Sequence, residues 1–158
     1  MTVEGKPHPH SFFRDGAETR NAEAIATDDK GISVKSAIGG LLVLKSTGSQ
    51  FHGFVKDEYA VLKDVNDRIL STEVDSNWDW ATFKTVAEVE SAAPKFDSAF
   101  STARDVTMKL FAYENSPSVQ NTMYKMCDEI LGAVPEVNAV SYSLPNKHYF
   151  EIGELHHA

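Results

Sequence analysis

The sequence predicts an α+β domain in which helices pack on one face of an antiparallel β-sheet. Two observations predict this fold class. Apolar and polar residues alternate at period two towards both ends of the chain, whereas apolar residues recur every three or four positions in its middle. The order of elements is therefore strand, strand, helices, strand. The 158 residues contain no internal repeat and no low-complexity linker, so we expect one domain over 1–158.

The first two elements are predicted to be long strands that form a hairpin, over residues 10–26 and 31–54. Residues 27–31, Thr-Asp-Asp-Lys-Gly, supply the turn, because Asp and Gly tolerate the left-handed backbone that a tight reversal needs. Inside the second strand, Gly39-Gly40 predicts a bulge or a close backbone approach.

The middle of the chain is predicted to be helical. A first pattern begins at residues 59–69 and continues to residue 90, where the spacing of acidic and apolar residues is helical, and Pro94 ends or restarts it. An apolar stripe from Phe96 to Leu110 predicts the next helix. Ser116-Pro117-Ser118 predicts the start of another, because a hydroxyl can cap free N–H groups and proline suits a first turn.

The pattern returns to strand after Pro135. Val140, Tyr142 and Leu144 alternate with polar residues, and residues 148–152 alternate again. An antiparallel sheet entered by a hairpin is usually completed by a further hairpin, so we expect the final strand of this domain to be missing and the last strand present to be an open edge.

Composition narrows the classes of partner. The net charge of −8 and the lack of a basic, aromatic-rich run disfavour nucleic acid. No apolar stretch approaches the length needed to span a bilayer, and we expect no membrane partner. The single cysteine, Cys127, lies in an apolar helical run and is predicted to be a small buried side chain rather than a nucleophile.

Five segments of the chain, in this order, resemble segments of one enzyme family. They are GKPHPHSF at 5–12, VLKSTGSQFHGF at 43–54, DRILSTEVD at 67–75, SPSVQNTMYKM at 116–126 and LPNKHYFEI at 144–152. The family is that of the urate oxidases (uricases), and the similarity is to its fungal members. Five collinear segments are much more specific than any one of them.

The resemblance implies a tunnelling fold (T-fold), in which a four-stranded antiparallel sheet carries two helices on its concave side. Family members hold two such domains in tandem, and this chain resembles the second. We therefore expect a chain truncated at both ends relative to the family, without the terminal Ser-Lys-Leu peroxisomal signal. Family members are peroxisomal homotetramers; without that signal, a cytoplasmic location is the alternative.

The resemblance also assigns substrate-binding residues. It implies that Phe51 stacks on the flat urate ring, that Arg68 grips one edge through its planar guanidinium group, and that Gln120 closes the other edge with its amide. The backbone N–H of Val119 is an implied additional contact, because a helix N-terminus favours an anion such as urate. Ser118 and Leu62 match positions that line the pocket.

The implied reaction is oxidation of urate by dioxygen to 5-hydroxyisourate and hydrogen peroxide, with no metal, flavin or nicotinamide. The electron-rich substrate supplies the electrons. Asn146 matches the residue that holds oxygen or the attacking water above the urate plane, and His148 matches the histidine of a Lys-Thr-His proton relay. The relay Lys and Thr belong to the family's first domain, and the site forms between subunits, so we expect the isolated chain to turn over little or no urate.

Each residue also has a purely structural interpretation. Leu62 would be a core side chain, Ser118 or Gln120 a helix cap, Asn146 a turn residue and His148 a structural histidine in a strand.

Alternatives exist for the whole chain as well. One is a non-catalytic fragment or pseudoenzyme that binds purine or assembles through its sheet edges. Another is a related tunnelling-fold enzyme that acts on pterins, but the set of residues matched above argues against it. A metal site is disfavoured: His8 and His10 alternate on one strand and His156 and His157 are adjacent, but no Cys or carboxylate completes a ligand pattern.

Overall fold

The computed structural model describes residues 1–147 of the chain. They form one five-stranded antiparallel sheet with helices on one face and a two-stranded ribbon beside it. The elements are β1 (Thr2–Val3), β2 (Lys6–Pro7), β3 (Ser11–Phe13), β4 (Thr19–Thr27), β5 (Gly31–Lys45), β6 (Leu70–Trp80), α1 (Val86–Ser91), α2 (Ala93–Tyr113), α3 (Val119–Ala133) and β7 (Val137–Ser143). The α+β class predicted from the sequence is confirmed.

The long strand β5 organises the sheet. One of its edges pairs with both β3 and β4, the other with β6, and β7 pairs with β6. The predicted hairpin is confirmed by the β4–β5 register, which runs to Thr27 opposite Gly31. Gly31 has φ +81°, and a Cβ at this position would lie 2.5 Å from the carbonyl oxygen of Phe83. Only glycine therefore fits the end of this turn.

The predicted bulge is also present, and it corrects the length of the first strand. The register of β5 against β6 shifts between Ile38 and Leu41, and Gly40 takes φ +68°. The neighbouring strand is interrupted opposite this point, so the predicted strand 10–26 is divided into β3 and β4. A bulge bends the bulged strand and increases its local twist. On the edge of β5 opposite β6, the chain leaves the ladder between Phe13 and Thr19.

The helical prediction for residues 59–80 is wrong. Residues 59–69 contain no helix, and residues 70–80 are strand β6. The alternation in β6 is concealed because Thr72 and Ser76 occupy buried positions where apolar residues were expected, while Val74 and Trp78 share that face. Of the predicted continuation to residue 90, only the short helix α1 forms. The second predicted strand likewise ends at Lys45 rather than at residue 54.

The helix layer matches the sequence prediction closely. Ala103, Thr107 and Phe111 of α2 are buried against the sheet, and the predicted stripe residues Phe96, Phe100 and Leu110 pack at its margin. Helix α3 begins where predicted, and its Met126 and Ile130 are fully buried.

Cys127 is half-buried rather than buried, with its Sγ 3.7 Å from the carbonyl oxygen of Val140. Burial raises the pKa of this thiol, which disfavours the reactive thiolate.

The returning strand is confirmed as β7, which pairs with β6 from Val137 opposite Trp80 to Ser143 opposite Asp75. The predicted continuation at 148–152 lies outside the described residues. Within residues 1–147, no helix is both long and apolar enough to cross a membrane.

Candidate functional site

Three segments meet to form the candidate site. They are residues 48–51 after β5, residues 65–68 before β6, and residues 114–120 after α2. Residues 48–51 lie between the other two segments. On one side, the N–H of Gln50 donates to the carbonyl oxygen of Ser116 at 2.8 Å. On the other, Phe51 and Val65 exchange backbone hydrogen bonds of 2.7 and 2.9 Å. Most of the predicted site residues lie on these three segments, although the chain brings them together from positions about seventy residues apart.

Phe51 and Arg68, the predicted platform and the predicted clamp, are adjacent in space. The guanidinium carbon of Arg68 lies 5.2 Å from the centroid of the Phe51 ring. The N–H of Arg68 donates to the carbonyl oxygen of Ser49 at 2.9 Å, which fixes the backbone below the side chain. Arg68 is half-buried, and desolvation lowers the pKa of its guanidinium group. A partly desolvated cation beside an aromatic ring is suited to bind a planar anion.

Phe54 stacks on Phe51, with ring centroids 4.6 Å apart and an interplanar angle of 18°. One face of the Phe51 ring is therefore covered by a second aromatic ring. The sequence did not indicate this contact, because Phe54 was placed in the predicted strand 31–54, where two residues three positions apart would lie on opposite faces.

The N-terminal end of α3 is the third part of the site. The Ser118 hydroxyl accepts a hydrogen bond from the N–H of Asn121 at 3.2 Å, so the predicted helix cap is confirmed. Val119 and Gln120 form the first turn, whose N–H groups have no acceptor within the helix, and the Gln120 side chain is exposed. This end of the helix can therefore receive an anion through backbone N–H groups and an amide.

A buried serine holds this turn in place. Ser116 is 1% exposed, and its hydroxyl donates to the carbonyl oxygen of Ser118 at 2.6 Å and contacts the hydroxyl of Thr122. Sequence reasoning treated Ser116 only as part of a helix-start signal. Its role as the link to residues 48–51 depends on tertiary contacts that the local pattern does not contain.

Asp67 holds the N-terminal part of residues 46–51, the strip that follows β5 and carries Phe51. Its carboxylate accepts hydrogen bonds from the hydroxyl of Thr47 at 2.6 Å and from the N–H of Gly48 at 2.9 Å. These two hydrogen bonds, the Thr47 contact first, lower the pKa of Asp67. Asp67 was not predicted as a site residue, although it immediately precedes Arg68.

Asn146 lies near the start of β6. It forms an isolated antiparallel bridge with Thr72, and the Thr72 hydroxyl donates to the carbonyl oxygen of Pro145 at 2.9 Å. The N–H of Lys147 donates to the carbonyl oxygen of Ser71 at 2.8 Å. Asn146 is thus held at the N-terminal end of β6, the end that follows Arg68 in the chain. The other predicted catalytic residue, His148, lies outside the described residues.

The position of Leu62 is given by its loop and its exposure. It lies in the 52–64 loop and its side chain is 63% exposed, so its alternative interpretation as a core residue is wrong in this chain.

Within residues 1–147, no group of three or more His, Cys, Asp or Glu side chains has metal-binding geometry. His8 and His10 do lie together, with ring centroids 4.5 Å apart, and burial followed by the charge of His10 lowers the pKa of His8. His156 and His157 lie outside the described residues.

A well-formed cavity of about 450 Å³ lies elsewhere, at the far end of β6, with Trp80, Phe83 and Ala92 in its wall. Its charged lining residues are Glu88, Lys95 and Glu136, of which the last two are paired with each other at 2.6 Å. None of the predicted site residues lines the cavity.

Comparison with known proteins identifies the family and the fold. The uricase family model matches residues 34–157. The chain is 57% identical to uricase of Aspergillus flavus and 47% identical to uricase of Schizosaccharomyces pombe, in each case over 96% of this chain and about half of the relative. The crystal structure of uricase from Arthrobacter globiformis superposes with a TM-score of 0.73 at 33% identity, over 90% of this chain and 50% of that one.

The chain thus spans about half the length of the curated relatives that it matches. Its antiparallel sheet with helices on one face is the tunnelling fold of the uricase structures. The family match covers most of the chain and includes Phe51, Arg68, the start of α3 and Asn146. The chain belongs to the uricase family.

Proposed function

We propose that this chain supplies the urate-binding half of a urate oxidase site, for the oxidation of urate by dioxygen to 5-hydroxyisourate and hydrogen peroxide. The single observation that carries the proposal is the Arg68 guanidinium beside the Phe51 ring, on a strip bonded through Gln50 and Ser116 to the start of α3. Names of the relatives and the family model support the same activity.

The geometry suits the chemistry of urate. Its flat conjugated ring needs an aromatic surface, its anionic edge a planar cation, and its opposite edge N–H donors. Phe51, Arg68 and the first turn of α3 offer these groups in turn. The same set explains why an uncharged purine is expected to bind more weakly, because it gains nothing from Arg68 or from the helix N-terminus.

We propose that Asn146 and His148 act on the oxygen side of the reaction. Asn146 would hold oxygen or water above the ring and His148 would move a proton, as the family resemblance implies. Urate itself supplies the electrons, so the proposed reaction uses no organic cofactor or metal, and dioxygen is the co-substrate.

Turnover is proposed to need the other half of a family member. The resemblance assigns the Lys and Thr of the proton relay to the family's first domain and places the site between subunits of a homotetramer. We therefore expect the 158-residue chain to bind urate while oxidising little or none of it. We propose a peroxisomal location by family, with the cytoplasm as the alternative, which microscopy of an N-terminal fluorescent fusion distinguishes.

The test measures urate binding by calorimetry and urate loss by absorbance, using the chain alone and the chain co-expressed with the first-half domain of a fungal relative. We expect binding without turnover for the chain alone, and turnover after co-expression. Failure to bind or oxidise urate in either state overturns the proposal. Rapid turnover by the chain alone overturns the proposed need for a second half.

A second candidate is a non-catalytic module that acts in purine binding or assembly. It is favoured by β4, an edge strand in which all nine residues are exposed, because such an edge is open to pairing with another strand. Binding of urate that persists without any turnover after co-expression would support this candidate over the first.

A further inference from the structure

Lys45, the last residue of β5, is buried to an unusual degree. It is 1% exposed, although lysine is almost never fully buried unless it is paired. Its Nζ donates to the backbone carbonyl oxygen of Glu114 at 2.7 Å and lies 5.6 Å from the centroid of the Phe111 ring. Burial lowers the pKa of Lys45 to about 8, against the attraction of the Glu114 and Asp67 carboxylates.

Lys45 and Glu114 each lead into a segment of the candidate site, and we call these two positions the stems of the segments. Lys45 leads directly into residues 46–51, which carry Phe51. Glu114 ends α2 and leads into residues 115–118, which start α3. The carbonyl groups at a helix C-terminus lack partners within the helix and attract a cation, so the position of the ammonium group is electrostatically favourable. Lys45 therefore links the two stems, and the hydrogen bond from Gln50 to Ser116 links the same two segments further along the chain.

We propose that Lys45 is a positioning residue for urate, whose buried ammonium group holds the stem of α3 against the strip that carries Phe51 and so sets the width of the urate site. The inference rests on the proposed urate-binding function.

Burying this charge carries a desolvation cost that disappears when the lysine is replaced by an apolar side chain of similar volume. That gain offsets part of the cost of leaving the carbonyl oxygen of Glu114 without its donor. Methionine at this position could pack against Phe111 as the lysine stem does. What methionine cannot do is bond the carbonyl oxygen of Glu114. The ammonium group therefore serves the relative position of the two stems.

The test compares Lys45→Met with Lys45→Arg, which keeps a charged donor, and with Lys95→Met as a matched control. Lys95 also forms a 2.6 Å contact, with Glu136, but at the opposite end of the sheet. In Lys45→Met we expect amide hydrogen exchange at Gln50 and Ser116 to accelerate about tenfold or more, with no change in β6. Urate should bind about tenfold more weakly, because small displacements of binding groups have large effects. Lys45→Arg should restore part of this loss, and Lys95→Met should match wild type.

A pH series separates positioning from a general structural role. The titratable groups that act on Lys45 are Glu114 and Asp67, and Lys45 in turn acts on His8. Urate affinity of the wild type should fall as pH rises through about 8, where Lys45 loses its charge. Its contribution to folding stability should instead rise between about 8 and its ordinary 10.5, because the unfolded chain holds the proton more tightly there. Lys45→Met should lose both effects.

The outcomes distinguish the two proposals. Unchanged exchange at Gln50 and Ser116 in Lys45→Met overturns the positioning role, whether or not urate binds. Faster exchange with unchanged urate affinity overturns the link to urate. If wild-type protein neither binds nor oxidises urate with or without the first-half domain, the proposed function fails and the urate role of Lys45 fails with it.

Discussion

The backbone N–H of Gln50 donates to the carbonyl oxygen of Ser116 at 2.8 Å, and the N–H of Ser116 donates to the carbonyl oxygen of Gly48 at 3.3 Å. These two hydrogen bonds join the strip after β5 to the start of α3. They bring an aromatic ring and a helix N-terminus to the same place without any side chain of the ligand-binding set making the connection. This connection is made by backbone groups and supported by side chains outside the ligand-binding set, so the ligand-binding side chains can be replaced one at a time to test the site.

Arg68 is expected to contribute most of the charge recognition. Arg68→Lys keeps the charge but removes the planar fork, and we expect a loss of about 2 kcal/mol in urate binding, roughly thirtyfold in affinity, by calorimetry. Arg20→Lys is the control, because Arg20 also lies over a ring, Phe100, and pairs with Asp97 far from the site. Equal affinities for Arg68→Lys and wild type would exclude Arg68 as the clamp.

Phe51 is expected to matter more than the ring stacked on it. Phe51→Leu should weaken urate binding by about 1 kcal/mol through loss of the aromatic surface. Phe54→Leu keeps that surface and removes only the support on one face, so we expect a smaller loss. If Phe54→Leu is the weaker binder of the two, Phe54 rather than Phe51 is the platform, and titration of both variants with urate decides between them.

The lowered pKa of Asp67 predicts that the stability of the folded chain falls in acid. Its pKa is lowered in the folded chain by the bonds from Thr47 and Gly48, so the stability that it contributes is present above its unfolded pKa and is lost as pH falls through the lower, folded value. Thr47→Val should raise the pKa of Asp67, as measured by NMR titration of the carboxyl carbon.

The control carboxylate in the same titration is Glu136, whose pKa is lowered chiefly by Lys95 at the other end of the sheet. It should titrate identically in both proteins. A change at Glu136 with none at Asp67 would contradict the assignment.

Gly31→Ala tests the turn of the β4–β5 hairpin. Gly31 and Gly16 both have positive φ, +81° and +73°, but a Cβ at Gly16 would meet nothing within 4 Å whereas one at Gly31 would meet a backbone oxygen. Gly16→Ala should therefore cost about 1 kcal/mol of the free energy of unfolding, from backbone strain alone. Gly31→Ala should cost clearly more, by urea denaturation. Equal losses would show that the contact with Phe83 relaxes freely.

Local sequence patterns were enough to predict those elements in which a single residue type has a defined backbone role. The turn at 27–31, the glycine bulge and the capped start of α3 were all predicted from residue types with a defined backbone role. Strand β6 was missed because its buried face includes Thr72 and Ser76, so that polarity no longer reports burial. The exposed Tyr59 and Leu62, three positions apart, added a false helical spacing in a loop where no packing selects the side chains.

The ligand-binding residues could be named only through collinear resemblance to a family. Nothing in the local pattern relates Phe51 to Gln120, and the hydrogen bonds that bring their segments together involve backbone groups, which every residue carries. Lys45, Asp67 and Ser116 were missed for the same reason. Each supports the site through one or two long-range contacts, and a lysine, an aspartate or a serine on its own has no sequence signal for such a role.

The bridge between Phe51 and Val65 closes the 52–64 loop at its neck. The ends of the loop are fixed by this bridge, so lengthening the loop adds only a slowly growing entropy cost of closure. Residues 57–61, which exclude the Lys56–Asp64 ion pair and the predicted pocket residue Leu62, are the natural place to insert an affinity tag, a fluorophore or a protease site into this fold.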